Sequence, residues 1–274
     1  MLRRALWSLL AVLLLTGVAL ALHASRPQSS RGIVVTTTML ECAAKELLPA
    51  DSGIPVLALI PPGSCPGHFD VPPSVVPALR SAAVVVAHDY QQDLAGKLTE
   101  LGPPGMKLVQ IETKGSLLIP AHHLRVTQQL SDVLVVAYPN HEAQIRAALK
   151  TVERRTNECS QKVAERSASW EGTPVIASAM QRQFCEWLKL QVVGQVARPE
   201  DVTPAELQAL LNSKPALVVG NLQEGLRAAQ AVAERLNVPL VVFSNFPDAE
   251  GYGHGYEALL NENLRRLEEA CRKR

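Results

Sequence analysis

Apolar and polar positions change rhythm three times along this chain. From Gly32 the runs are short and β-rich. Ile33-Val34-Val35-Thr36-Thr37 predicts a strand, apolar residues at helical spacing over 40–48 predict a helix, and residues 55–60 predict a second buried strand. Pro73-Ser74 opens a short helix to Arg80, and residues 82–87 and 108–111 are two further apolar strands. Buried strands alternating with helices predict a mainly parallel sheet with crossover helices, an α/β lobe.

Between about His123 and Trp170 strand character disappears and apolar positions recur at helical spacing. Pro139-Asn140 is the single break, expected to kink or interrupt the helix. Residues 147–170, rich in Glu, Arg, Gln and Ala, predict a long and largely solvated helix, a rigid connector. The α/β rhythm returns at Thr173, with strands over 174–177, 216–219 and 240–243 and helices over 184–190 and 226–236. Thr203-Pro204-Ala205-Glu206 is a helix start, with Thr as N-cap, Pro at the first position and Glu closing a capping box. Tyr256, Leu260, Leu264 and Leu267 place one apolar stripe on a C-terminal helix. The expected organisation is an N-terminal lobe over 32–122, a connector over 123–170 and a second α/β lobe over 171–274.

The first 24 residues stand apart. Arg3 and Arg4 precede an apolar run over 5–22, and Ala19-Leu20-Ala21 offers a small-x-small cleavage site. This is an export signal or, uncleaved, an N-terminal anchor, and either form places the body in the periplasm. No Cys follows the run, which excludes a lipoprotein anchor there. Hydrophobic residues at 47% against 19% charged residues indicate a packed core rather than disorder. A net charge of +1, with no basic tract beyond Arg272-Lys273-Arg274, excludes nucleic acid as the expected partner. Five scattered cysteines leave at least one unpaired in an oxidising compartment, where it needs burial, a metal or a partner.

Candidate chemistry concentrates in Leu-Ile-Pro-Pro-Gly-Ser-Cys-Pro-Gly-His-Phe-Asp, residues 59–70. A buried strand runs into a Pro-Pro-Gly turn that presents Cys65 and His68 three residues apart. Thiolate and imidazole together suit a borderline-soft ion such as Zn²⁺. One Cys-x-x-His supplies only half of a four-ligand site, so the loop alone reads equally well as a Pro-rich turn. His88 follows the third strand, and strand ends of open α/β sheets face the ligand crevice. Asn221 and Gln223 follow a strand of the second lobe and are expected to line the cleft. Asp248, Tyr252 and His254 lie in a Gly-rich segment, either a flap over the cleft or a surface loop. Met180, Cys185 and Cys42 are expected in the core. A Cys65–imidazole pair could in principle attack a substrate, but no third orienting residue, Gly-x-Ser-x-Gly, phosphate loop or Gly-x-Gly-x-x-Gly accompanies it, so no enzyme is expected.

The export signal, Val-Val-Thr-Thr-Thr, Leu-Ile-Pro-Pro-Gly…His-Phe-Asp…Pro-Ser, the strand over 83–87, His123 opening the connector and the second βαβ lobe together resemble the periplasmic solute-binding proteins of zinc and manganese ABC transporters. The resemblance covers roughly residues 32–270. It implies two α/β lobes joined by a long backbone helix, a divalent metal held in the cleft between them, an inner-membrane ABC permease as partner, and a monomer. Four ligand places carry over unevenly. His68 fills the first one residue late, with Cys65 in the same loop. His123 fills the second, with His122 adjacent. The third shows Ser178 and Gln181 but no His, and the fourth shows Asn245, with Asp248 three residues on. The implied site is therefore Cys65, His68 and His123 around Zn²⁺ or another borderline-soft ion, with weak second-lobe contacts from Asn245, Gln181 or Asp248. The alternative is the same fold holding a non-metal ligand or a partner protein.

Overall fold

The computed structural model describes residues 31–196 and 204–272. The N-terminal segment and Thr203 of the expected helix cap lie outside the described residues. Two separate four-stranded sheets organise the chain. The first contains β1 (Gly32–Val35), β2 (Val56–Ala58), β3 (Ala82–His88) and β4 (Leu108–Ile111) in the order β2-β1-β3-β4. The second contains β5 (Pro174–Ser178), β6 (Gln191–Val196), β7 (Leu217–Asn221) and β8 (Leu240–Phe243) in the order β6-β5-β7-β8. Every pairing is parallel, so all strands of a sheet end on the same side. The two orders are equivalent, and the lobes share one architecture.

Crossover helices cover both faces of each sheet. In the first lobe α1 (Thr38–Leu47), α2 (Val76–Ser81) and α3 (Gln92–Leu101) do so. On one face Ile33, Val35, Val84 and Val86 pack with Leu40, Ala44 and Leu47; on the other, Val34 and Val85 pack with Leu79, Leu94 and Leu98. The alternation along β1 and β3 explains why these strands read as unbroken apolar runs: both faces are buried. In the second lobe α6 (Arg182–Trp187), α7 (Pro204–Asn212) and α8 (Arg227–Leu236) play the same part, and α9 (Tyr256–Arg272), after the last strand, adds to one face. Val175, Ala177, Val219 and Phe243 meet Phe184, Leu260 and Leu264 on one face; Ile176 and Val218 meet Leu210, Ala229 and Val232 on the other.

Two elements were not anticipated from the pattern. α3 buries only Leu94, Ala95 and Leu98, too few to mark a helix. β6, Gln-Val-Val-Gly-Gln-Val, is an edge strand with only one fully buried residue, so it lacks the apolar run of its neighbours. Gly194 within it admits the Leu210 side chain, which a Cβ would strike.

The middle of the chain is interrupted at Pro139, one of the two expected outcomes, but its two parts do not continue in line as one connector. α4 (Pro120–Ala137) and α5 (Glu142–Ser167) are separated by a 3₁₀ turn, Pro139–His141, and fold back on each other. Gln128 Nε2 donates to Glu153 Oε1 at 2.9 Å, and Arg146 lies 3.8 Å from Asp132, pairs placed symmetrically about the turn. Pro139 therefore reverses the chain rather than bending it. Leu130 and Leu134 of α4 pack with Ile145 of α5 in the first lobe's core, so apolar surface that a straight rod would expose is buried. The long backbone helix is α5 alone. Its Arg155 reaches both Glu46 (3.5 Å) on α1 and Glu257 (2.9 Å) on α9, and its Arg166 reaches Glu268 (3.4 Å), so one helix spans both lobes.

The lobes also share a core. Met39, Cys42, Leu118 and Ile119 from the first lobe pack into the main cluster of the second. Tyr256 OH donates to Leu118 O (3.0 Å) and Thr38 Oγ1 to Pro247 O (2.9 Å) across the same junction.

Candidate functional site

Because both sheets are parallel, the loops after their strands gather at one side, where a crevice is expected. A cavity of ≈ 460 Å³ lies there. From the first lobe its wall takes Cys65 after β2, Tyr90 after β3, and Thr113, Ser116, Leu117 and Leu118 after β4. From the second it takes Met180 and Gln183 after β5, Asn221, Gln223 and Glu224 at the end of β7, and Asn245 and Phe246 after β8.

Hydrogen bonds hold the two walls in register. Gln223 Nε2 donates to Pro62 O (2.7 Å) across the cleft and to Ser244 Oγ (2.9 Å), while its Oε1 accepts from Asn245 N (3.0 Å). Gln183 Oε1 accepts from Ser116 N (2.6 Å). This last bond needs Gly115, whose φ of +80° favours glycine and whose missing Cβ would collide with the Gln183 amide. Gly115→Ala is expected to lower unfolding free energy by about 2 kcal/mol or more, through left-handed strain and the lost cross-lobe bond. Chemical denaturation measures it, and an unchanged midpoint would show that the loop relaxes without cost.

Of the expected metal ligands, the structure places only Cys65 on the cavity wall. His68 ends the 3₁₀ turn Pro66–His68 that follows Cys65; it is exposed and is not part of the wall. His123 lies on the buried face of α4, its ring stacked on Tyr256 at 3.9 Å and 3°. It borders a separate small gap with Glu46, Arg155, Cys159 and Glu257. The physical reason is register: α4 begins at Pro120, and position 123 turns into the packing between α4, α5 and α9 rather than toward the loops. Among the described residues no three His, Cys, Asp or Glu side chains come close enough together to hold a metal ion. Cys65, His68 and His123 are thus not brought together.

The remaining candidates divide. His88 is buried at the end of β3, with Nε2 3.0 Å from Thr37 Oγ1 and Nδ1 2.8 Å from Thr113 Oγ1. A neutral ring satisfies both hydroxyls, one nitrogen donating and the other accepting, and burial pushes its pKa down to about 3. Burial likewise pushes His123 down to about 3. His122 Nδ1 donates to Ser116 O (3.1 Å) at the start of its own helix. Asp248 pairs with His254 (2.6 Å) inside its own loop, away from the wall. Asn221, Gln223 and Asn245 do line the cavity, and Gln181 stands one hydrogen bond behind it, donating to Asn245 Oδ1 (2.8 Å).

Several wall residues were missed. Met180, expected in the core, is 53% exposed on the wall, because it follows β5 in a 3₁₀ turn instead of lying on a helix face. Tyr90, Gln183 and Phe246 carried no motif; their one readable signal was position just after a strand.

A family profile described as zinc-uptake complex component A, periplasmic, matches residues 33–270. Similar solved structures include a crystal structure of ZnuA, 16% identical, covering 88% of this chain and 99% of that one with a TM-score of 0.73. The periplasmic zinc binding protein TroA from Treponema pallidum is 12% identical, with 88% and 99% covered and a TM-score of 0.73. A Mn-bound periplasmic metal binding protein from Candidatus Liberibacter asiaticus is 10% identical, with 87% and 98% covered and a TM-score of 0.72. At these identities the likeness establishes the fold. No curated protein matches the chain.

Proposed function

The chain belongs to the family of periplasmic zinc-uptake complex components A, and we propose that it is the extracytoplasmic solute-binding protein of an ABC importer, capturing a divalent metal between its lobes. The observation that carries this reading is the family match across both lobes together with a cavity walled by strand-end loops of both. The family is one of transport components, and the proposed role is capture and delivery, not catalysis: a monomer would load its solute in the periplasm and pass it to a permease in the inner membrane. No helix of the described residues is long and apolar enough to cross a membrane.

Zn²⁺ is favoured over Mn²⁺ because Cys65 puts a thiol on the wall, and thiolate prefers the softer ion. The proposed protein contact is therefore Cys65, in place of the set Cys65, His68 and His123. A second reading, a non-metal ligand or partner protein in the same cleft, is favoured by the lack of a three-donor cluster among the described residues. Calorimetric titration of Zn²⁺ and Mn²⁺ into wild type and Cys65→Ser separates them. The metal reading expects Zn²⁺ to bind more tightly than Mn²⁺ and the variant to lose tenfold or more in Zn²⁺ affinity. No heat with either ion selects the second reading for bare ions.

A further inference from the structure

The cavity is ill suited to a naked ion and well suited to an organic body. Its ≈ 460 Å³ falls within the roughly 300–1,000 Å³ typical of small-molecule sites. A tetrahedral zinc shell, by contrast, closes donors to about 2.0–2.3 Å from one point. Among the described residues, Cys65 and Glu224 are the only carboxylate or thiol side chains of the wall, and none is a His. The rest is apolar (Leu117, Leu118, Met180, Phe246) or neutral and polar.

Two further observations point to what fills it. Large hydrophobic side chains are exposed at five positions among the described residues, and two of them, Tyr90 at 54% and Met180 at 53%, stand on this wall, one from each lobe. Asn221, only 1% exposed, also lines the cavity, and its Nδ2 has no hydrogen-bond partner. Ser178 Oγ and Gln181 Oε1, at and just beyond the end of the adjacent strand β5, likewise lack partners. A buried amide left unbonded carries a desolvation penalty, which a ligand oxygen or nitrogen accepting from Asn221 would remove. Apolar faces beside a buried neutral donor describe an organic ligand with an acceptor atom.

We propose that the metal enters this cleft as a complex with a small organic chelator, whose apolar faces lie between Tyr90 and Met180 and one of whose acceptor atoms takes the Asn221 amide. The chelator supplies most of the ion's donors, and Cys65 is placed to supply another. The inference rests on the metal-uptake reading for the ion and on the cavity wall for the organic part.

Calorimetry on the full chain with Zn²⁺ alone, a 1:1 Zn²⁺–1,10-phenanthroline complex, and phenanthroline alone tests it. The complex is expected to bind at least tenfold more tightly than either component. Met180→Lys is expected to weaken it tenfold or more, whereas Val136→Lys, on a remote exposed position (74%), leaves it unchanged. A complex that binds no better than Zn²⁺ alone overturns the inference and leaves the metal-uptake reading standing. Phenanthroline binding as well as its complex, with no binding of Zn²⁺ alone, overturns both. No binding of any of the three also overturns both.

Discussion

Tyr256→Ala is expected to lower the unfolding free energy by about 3–5 kcal/mol, the range for removing a large buried aromatic side chain. Tyr256 is 3% exposed, stacks on His123, and donates to Leu118 O across the lobe junction. Its loss opens a cavity where α4, α5 and α9 meet and strands a backbone carbonyl. Tyr256→Phe keeps the ring and removes only the hydroxyl, so about 1 kcal/mol is expected. Urea denaturation of the three proteins measures both. Equal losses in the two variants would show that the hydroxyl, not the stacked ring, ties the lobes together.

Acid sensitivity is the second large effect. His88 and His123 are held neutral by burial, each pushed down to about 3, against about 6.5 in an unfolded chain. Above pH 6.5 neither state binds the proton. Between pH 6.5 and about 3 the unfolded state does and the folded state does not, so stability present at neutral pH is lost as pH falls through this window. The loss approaches about 1.4 kcal/mol per pH unit per histidine. From pH 7 to pH 5 that is about 2 kcal/mol each, or about 4 kcal/mol together. His123→Phe retains a ring against Tyr256 and should keep only about half of the acid slope. A wild-type stability that is flat between pH 7 and pH 5 would mean the rings protonate in place.

The Tyr256 ring and the His123 share of the acid effect meet in one packing contact, and that contact explains why His123 does not reach the cavity wall. His123 has the residue type of a ligand and stands near the start of a helix, so its chemistry pointed to a metal. Its Cα, however, is carried by α4, whose start at Pro120 and apolar residues Val126 and Leu130 decide which face turns inward. Once that face packs, the imidazole has Tyr256 as its neighbour whatever its affinity for Zn²⁺. Cys65 avoided this fate because it sits in a loop after a strand, where topology rather than helix phase sets direction.

What the sequence by itself determined was local and periodic. Unbroken apolar runs marked β1, β3, β5 and β7, since strands buried on both faces in a parallel sheet cannot afford polar positions. The same periodicity marked the helical middle and the stripe Tyr256, Leu260, Leu264 and Leu267, and the order of these signals was enough to indicate two α/β lobes. Tertiary structure alone decided the rest. Pro139 permits a kink or a reversal, and only burial of α4 against α5 selects the reversal. Cavity residues such as Tyr90, Met180 and Gln183 are scattered over loops from both lobes. They carry no spacing that ties them together, because convergence at strand ends is a property of parallel topology and not of neighbouring positions in the chain.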